Sequence, residues 1–328
     1  MTKYVIKRIL LMIVTLFIIL SMCYILIKLL PLPPIKGSAD LVKLIEAQRE
    51  AKGYYEPIMT QFGLFWKRII TEFDWGVGEN IYQNQSVVQV VSQKLPATIT
   101  INLFSILISI PIGLLLGIFA AIKKNKWQDH VISVVVMLFI SVPSFVYAFV
   151  LEYFLCYRLG IFPTSMMRLV ITAETTMGDI FHQMFQKDMI WSLIPAIISL
   201  SFGSIAGLTR YTRAELAEVL TGDYMLLART KGLTRRQATI RHALRNSMVP
   251  IFPMILGEFI GVLSGSLVIE SIFGVPGIGG LYVSAINNLD YNFFMADSAF
   301  YTAIGLAAGI VIDLSYGFID PRIRMGAK

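Results

Sequence analysis

Four acids stand inside apolar runs of this chain: Glu152, Glu258, Glu270 and Asp313. A carboxylate at membrane depth is costly to desolvate and marks a functional position by default. Glu152 and Glu270 lie close to the ends of their runs, where snorkelling to water is the simpler reading. Glu258 and Asp313 sit deeper and are read as lining a polar cavity or pairing with a neighbouring chain. No catalytic constellation accompanies them. The sequence has no GxxxxGK[ST] phosphate loop, no HExxH and no GxSxG, and His130, His182 and His242 are scattered. Cys23 and Cys156 each lie in an apolar run without a CxxC or Cys/His partner, which makes them packing residues rather than a disulfide framework or a metal site.

The other concentration of chemistry is basic. Between Asp223 and Pro250 stand Arg229, Lys231, Arg235, Arg236, Arg241 and Arg245, with Asp223 the only acid. A charged insert between two apolar runs reads as an inner loop of a membrane protein. The spacing predicts two short helices. Tyr224, Ala228 and Gly232 fall at i, i+4 and i+8 on one face. Gly232 can end the first helix in a left-handed cap, and Thr234 can N-cap the second from Arg235 onward. In that second helix Ile240, Ala243, Leu244 and Ser247 are expected on one side and the arginines mostly on the other.

The elements that must carry these residues are membrane spans. Of 328 residues 56% are hydrophobic and only 15% charged, against ~45–50% and ~25% in soluble domains; the mean hydropathy is +0.69. The net charge of +7 therefore reads as membrane topology. Without a basic face interleaved with aromatics, nucleic acid is excluded as a partner. Lys3, Lys7 and Arg8 precede an apolar run from Ile9 to Leu30, too long for a signal-peptide core and lacking a cleavage site, so it is read as a retained span. Pro31, Pro33 and Pro34 stop it. A mixed segment to about Leu95, with seven basic and seven acidic residues and a short helix expected near Ala39–Lys52, is read as a small external cap. Further spans are expected over about Leu95–Ile122, Val131–Tyr157 with a kink at Pro143, Ile190–Thr209, Val249–Phe273 and Phe300–Ile319; an amphipathic piece is expected near Asp179–Lys187. Gly113 and Gly117, then Gly257, Gly261 and Gly265, then Gly305 and Gly309 recur at fours, a pattern of close helix packing rather than of substrate contact. Six spans put both termini on the inner side. The short inner segments then hold 17 of the 28 Lys and Arg residues, as charge asymmetry requires.

The basic stretch resembles the cytoplasmic coupling loop of ABC-importer membrane subunits, and more closely that of the B-class permeases of the oligopeptide/dipeptide type. The residues that carry the resemblance are Asp223-Tyr224, Ala228-Arg229, Lys231-Gly232-Leu233 and Arg241-His242-Ala243-Leu244-Arg245-Asn246. Leu226 and Leu227 stand where the general importer motif has Glu-Ala, a departure that favours the peptide branch. Leu95-Pro96-Ala97-Thr98, the Pro276-Gly277-Ile278-Gly279 run, Asp290-Tyr291 with Leu289 in place of an arginine, Asp74-Trp75-Gly76 and the closing Asp320-Pro321-Arg322-Ile323-Arg324 resemble further elements of that family in its order.

The resemblance implies an all-α, six-helix type I ABC importer permease fold, with an N-terminal transmembrane helix and a large first external loop or cap over 1–94, a five-helix permease module over 95–319 containing the coupling loop at about 210–248, and a cytoplasmic tail over 320–328. It implies a transport subunit of a prokaryotic plasma membrane with no ATPase site of its own. ATP and Mg would be held by one or two partner ATPase subunits. A second homologous permease and an extracytoplasmic substrate-binding protein would complete the assembly, the latter meeting Pro31–Leu95 and Gly274–Asp297. The implied cargo is di- or oligopeptide; nickel chelates or glutathione are the alternatives within the family. A proton-coupled secondary transporter using Glu258 or Asp313 is the rival reading outside it, and inverted repeats, which would favour it, are not visible.

Overall fold

The computed structural model describes residues 2–29, 39–51, 53–172, 174–264 and 266–319. Pro31, Pro33, Pro34, Gly265 and the closing Asp320–Arg324 run lie outside them. The described chain is helical, with two isolated backbone bridges near residues 77–86 as its only extended pairing. It divides into two compact units, one holding 93–280 and 304–328, the other 3–92 and 281–303.

In the smaller unit, α1 (Thr2–Leu29) carries the N-terminal apolar run. The expected short helix is α2 (Ala39–Ala51), and α3 (Ile58–Glu72) follows. Phe65 of α3 is buried with Leu20 and Tyr24 of α1 and with Met295 and Ala299. Tyr24 and Phe65 pack ring on ring at 4.5 Å, and Phe17 and Trp66 at 4.7 Å. A second cluster joins Val87, Val90, Leu281, Ala285 and Phe293.

In the larger unit, α4 (Val87–Ile122) and α8 (Lys187–Val219) are the long helices, and α5 (Trp127–Ser141) and α6 (Ser144–Leu151) form a bent pair. The bend between α5 and the α6 segment ending at Arg158 is 100°. It falls at Val142-Pro143, where proline cannot donate to the preceding turn and forces its neighbour out of the helical region; Val142 is extended at ψ 127°. The amphipathic piece is α7 (Met177–Met184), closed at its start by a reciprocal Thr176–Asp179 capping box. These hydrogen bonds hold the Asp179 carboxyl below its ordinary value.

Among the described residues four helices are long and apolar enough to cross a membrane, five if the bent pair is one span. The expected span over Val249–Phe273 is not one helix. α11 (Leu244–Gly261) begins inside the basic stretch and carries Arg245 and Glu258; a tight turn over Val262–Ser264 follows, and then the six-residue α12 (Leu267–Ile272). α13 (Ile278–Asn287) and α14 (Tyr291–Ile319) complete the chain, α14 starting nine residues before the expected Phe300.

Candidate functional site

The basic stretch folds into a tight corner. α9 (Asp223–Thr230) ends at Gly232, whose φ is +87°. The Gly232 N–H donates to the Arg229 carbonyl at 3.0 Å and the Leu233 N–H to the Ala228 carbonyl at 3.3 Å, the paired bonds of a left-handed helix stop that glycine adopts without a Cβ penalty. Thr234 then opens α10 (Arg235–Ala238) through a capping box: its hydroxyl accepts from the Gln237 N–H at 3.3 Å, and the Gln237 side chain accepts from the Thr234 N–H at 3.0 Å.

Burial divides the face expected for α9. Met225 and Ala228 are buried with Ala121, Leu216, Ala217, Ala238 and Ala243, so the corner is fastened to the ends of α4 and α8. Tyr224, Arg229, Lys231 and Gly232 are exposed. So are Leu226 and Leu227, at 66% and 56%. In the second helix the inward residues are Ala238, Thr239, Ala243 and Ser247, and Ile240 is 54% exposed. Ala243 and Ser247 are thus inward as expected, with Leu244 packed against the cluster that holds Ala243; only at the start does Thr239 replace Ile240, within a wide i→i+5 turn over Thr239–Ala243 that adds a residue to one turn. Arg241, His242, Arg245 and Asn246 all point to solvent.

Beside the corner lies a pair that the sequence reading does not single out. The Arg213 guanidinium on α8 donates through Nη2 to Asp129 Oδ2 at 2.8 Å and through Nε to Oδ1, and the Asn125 N–H donates to Asp129 Oδ2 at 2.9 Å. Asp129 is 1% exposed. Two parallel charge-assisted bonds fix an angle as well as a distance, here between the start of α5 and the far part of α8. An acid three residues after the Lys126 turn and a lone arginine four residues before Ala217 are the only sequence signals, and neither names the other.

The acids fall into different settings. Glu258 of α11 accepts from the Ser204 hydroxyl of α8 at 2.9 Å and is half-buried; Asp313 and Glu152 are also half-buried. Glu270 is completely buried. Its Oε1 accepts from Thr98 Oγ1 at 2.8 Å and its Oε2 from the Gly280 N–H at 3.3 Å, while Thr98 Oγ1 accepts from the Ile278 N–H at 2.9 Å. The Val275 N–H donates to the Glu270 carbonyl at 2.8 Å. Thr98 and Glu270 thus fold the Gly274–Gly280 turn back onto α4. A Cβ at Gly277 would lie 2.3 Å from Glu270 Oε2 and 2.4 Å from Thr98 Oγ1, and one at Gly279 2.9 Å from the Leu267 backbone. The snorkelling reading of Glu270 is thereby corrected: it is the internal anchor of the Pro276-Gly277-Ile278-Gly279 element. Asp297 of α14, absent from the sequence reading, is fully buried with neither carboxylate oxygen hydrogen-bonded among the described residues.

In the smaller unit Asp290 plays a similar part. Its Oδ2 accepts the N–H groups of Glu79, Asn80 and Ile81 at 2.8, 2.8 and 3.1 Å, and its Oδ1 accepts that of Phe293 at 3.4 Å. Leu289, where the family pattern has arginine, sits at φ +55°. The Asp74-Trp75-Gly76 loop and Asp290-Tyr291 therefore form one structure. Close by, the Tyr54 hydroxyl donates to Glu79 Oε2 at 2.5 Å; burial, and then the Glu79 carboxylate, raise its pKa above that of a free phenol.

The glycine stripes also separate. A Cβ at Gly113 would meet Leu208 Cβ at 2.7 Å, and one at Gly117 would meet Thr212 Cβ at 2.6 Å and the Thr209 carbonyl at 2.8 Å. At Gly257 it would meet only Ile312 Cδ1 at 3.3 Å, and at Gly261, Gly305 and Gly309 no described atom within 4 Å.

Compared with known proteins, residues 113–325 match a family profile described as binding-protein-dependent transport system inner membrane component. The chain is 32% identical over 325 residues, 99% of its length and all of the relative's, to a dipeptide transport system permease protein of Lactococcus lactis. It is 30% identical over its full length to a dipeptide transport system permease protein of Bacillus subtilis, again covering all of that protein. Against an oligopeptide transport system permease protein of Salmonella typhimurium it is 31% identical over 99% of its length and all of that relative's.

Proposed function

Since this chain belongs to the family of binding-protein-dependent transport system inner membrane components, multi-pass proteins of the prokaryotic plasma membrane, we propose that it is the B-class permease subunit of an ATP-driven importer of di- and oligopeptides. The cargo assignment is supported by full-length relatives named for dipeptide and oligopeptide transport. The chain forms half of a six-span-per-subunit path, with a second homologous permease forming the other half. In this reading both termini are cytoplasmic and the broken α11–α12 segment serves as the fifth span. One or two ATPase subunits hold ATP and Mg, and an extracytoplasmic binding protein delivers peptide.

The observation that carries the mechanism is the α9–α10 corner. It is exposed on one side and fastened by Met225, Ala228, Ala238 and Ala243 to the ends of α4 and α8 on the other. Docked in an ATPase groove, it turns closure of the nucleotide sites into rotation of two spans, biasing an equilibrium between inward- and outward-open states. The docking surface is Leu226 and Leu227, with Tyr224 at its edge and Arg229 and Lys231 as its charged rim. Ala228 acts from inside as the residue that holds α9 in place, and Gly232 sets the corner's angle. The Asp129–Arg213 pair keeps α5 and α8 moving as one body.

The test reconstitutes the whole assembly with binding protein and follows peptide uptake and ATP hydrolysis together. Leu226→Asp places an unmatched charge in the groove; uptake should fall at least tenfold, the equivalent of about 1.4 kcal/mol of coupling, with permease abundance unchanged. Ala228→Glu should instead lower abundance, because its carboxylate enters a buried apolar cluster. Normal uptake by Leu226→Asp would remove the docking assignment. Uptake of nickel chelate or glutathione in preference to peptide would remove the cargo assignment and leave the docking intact.

A further inference from the structure

The apolar arc of α3 is wider than the part of it that the described chain covers. At 100° per residue, Phe65, Ile69, Phe62, Trp66, Met59, Ile70 and Gly63 fill one apolar arc of about 160°, and Lys67, Thr60, Thr71, Arg68, Gln61 and Glu72 occupy the other, with Leu64 the one apolar residue among them; Phe73 caps the helix in a left-handed conformation. Part of the apolar arc packs on α1 through Phe62, Phe65, Trp66 and Ile69. The remainder and the capping Phe73 are bare: Met59, Ile70 and Phe73 are 68%, 74% and 67% exposed. The polar arc borders an open hollow of about 570 Å³, to which α3 contributes Gln61, Leu64, Phe65, Lys67, Arg68 and Glu72. An apolar arc that runs on past the residues it packs against leaves a bare face of the kind that a helix at a lipid boundary presents.

The depth of α3 points the same way. Trp66 packs on Phe17 with ring centroids 4.7 Å apart. Phe17 lies twelve residues before Leu29, the last residue of α1, about 18 Å along the helix at 1.5 Å per residue. The hydrocarbon core of a bilayer is about 30 Å thick. α1 itself turns Leu10, Ile13, Val14, Phe17 and Ile18 outward, each more than 40% exposed, so the bare face of α3 continues a lipid-facing surface.

We infer that α3 is embedded in the bilayer beside α1, its Met59–Ile70–Phe73 face in contact with acyl chains, and is not part of a solvated cap. The inference is about this segment alone and stands whatever the cargo or the coupling surface is.

The experiment uses the assembled importer in lipid nanodiscs, with Cys23 and Cys156 replaced by alanine. Nitroxide labels are attached through Met59→Cys, Ile70→Cys and Phe73→Cys on the apolar face and Thr60→Cys and Thr71→Cys on the polar face. Collisional relaxation by molecular oxygen, which concentrates in lipid, is compared with that by a water-soluble nickel chelate. The three apolar-face sites should relax with oxygen and lose access to the chelate, and the two threonine sites should show greater chelate access. Chelate access at Ile70 and Phe73 equal to that at Thr71 would overturn the inference in favour of a solvated cap. Exclusion of both reagents there would overturn it in favour of a protein partner on that face.

Discussion

Gly113 and Gly117 on α4 and Gly257 and Gly261 on α11 are the same device by spacing, glycines four apart on an apolar helix. The structure gives them opposite surroundings. The α4 pair is closed by the chain itself, with Thr209 Oγ1 donating to the Gly113 carbonyl at 3.2 Å and the Thr212 side chain lying where a Cβ on Gly117 would be. The α11 pair faces one methyl group at Gly257 and no described atom at Gly261, and Gly305 and Gly309 of α14 are equally open. Small residues let two backbones approach, and van der Waals contact and weak polar bonds then hold them. Spacing gives the opportunity and says nothing of whether the approaching helix belongs to the same chain. The closed stripe holds this subunit together, and the open ones are the surface we assign to the second permease.

The largest effect expected on the isolated chain follows from the closed stripe. Gly117→Leu must displace the Thr209 backbone, not only a side-chain tip, so α4 and α8 are forced apart. Overpacking of this kind costs about 3 kcal/mol at the upper end of its usual range. The variant should accumulate poorly in membranes and unfold at lower temperature in detergent even without partner subunits. Normal abundance and an unchanged melting temperature would mean that α4 and α8 do not meet at Gly117.

A smaller loss is expected at Gly277, where the neighbours are side-chain ends that can move only by giving up buried hydrogen bonds. Gly277→Ala should break the Thr98–Glu270 contact and leave the carboxylate unsatisfied, at about 2 kcal/mol. Gly280→Ala is the matched control: the Gly280 N–H also donates to Glu270, but no described atom lies within 4 Å of its Cβ position. Thermal melting of both variants in detergent checks the pair. Equal melting temperatures would show that Glu270 does not organise this turn.

How much of this could be read from the chain follows from how local each feature is. The α9 corner was legible because glycine at a helix stop and threonine with glutamine three residues on are short-range signals whose physics is complete within six residues. The inward face of the following helix was legible at Ala243, Leu244 and Ser247 but not at its start. The wide turn over Thr239–Ala243 is a departure from regular geometry that no residue type there requires, and it moved burial from Ile240 to Thr239. The break between α11 and α12 escaped for the opposite reason: Val249–Phe273 is predominantly apolar on both sides of the break, and hydropathy does not register a change of helix direction. The roles of Glu270 and Asp290 and the Asp129–Arg213 pair each depend on partners 84 to 211 residues away. The carboxylates were visible as acids in awkward places. What satisfied them was a property of the fold.

The open stripe gives the smallest effect on the chain and the sharpest test of the contrast. A Cβ at Gly261 has no described atom within 4 Å, and replacing a helical glycine gains about 1 kcal/mol of intrinsic helix preference. The melting temperature of the isolated chain should therefore stay level or rise slightly, whereas Gly117→Leu lowers it. The side chain would instead project into the space reserved for another helix. In the proposed assembly it should reduce co-purification of the second permease, and with it uptake, while the subunit itself remains abundant. Size-exclusion chromatography of the co-expressed permeases, read beside the melting curve, separates the two consequences. Loss of stability in the isolated chain would mean that Gly261 is already packed by its own subunit. Normal assembly with normal uptake would place the stripe against lipid, and the second permease would then have to meet this chain elsewhere.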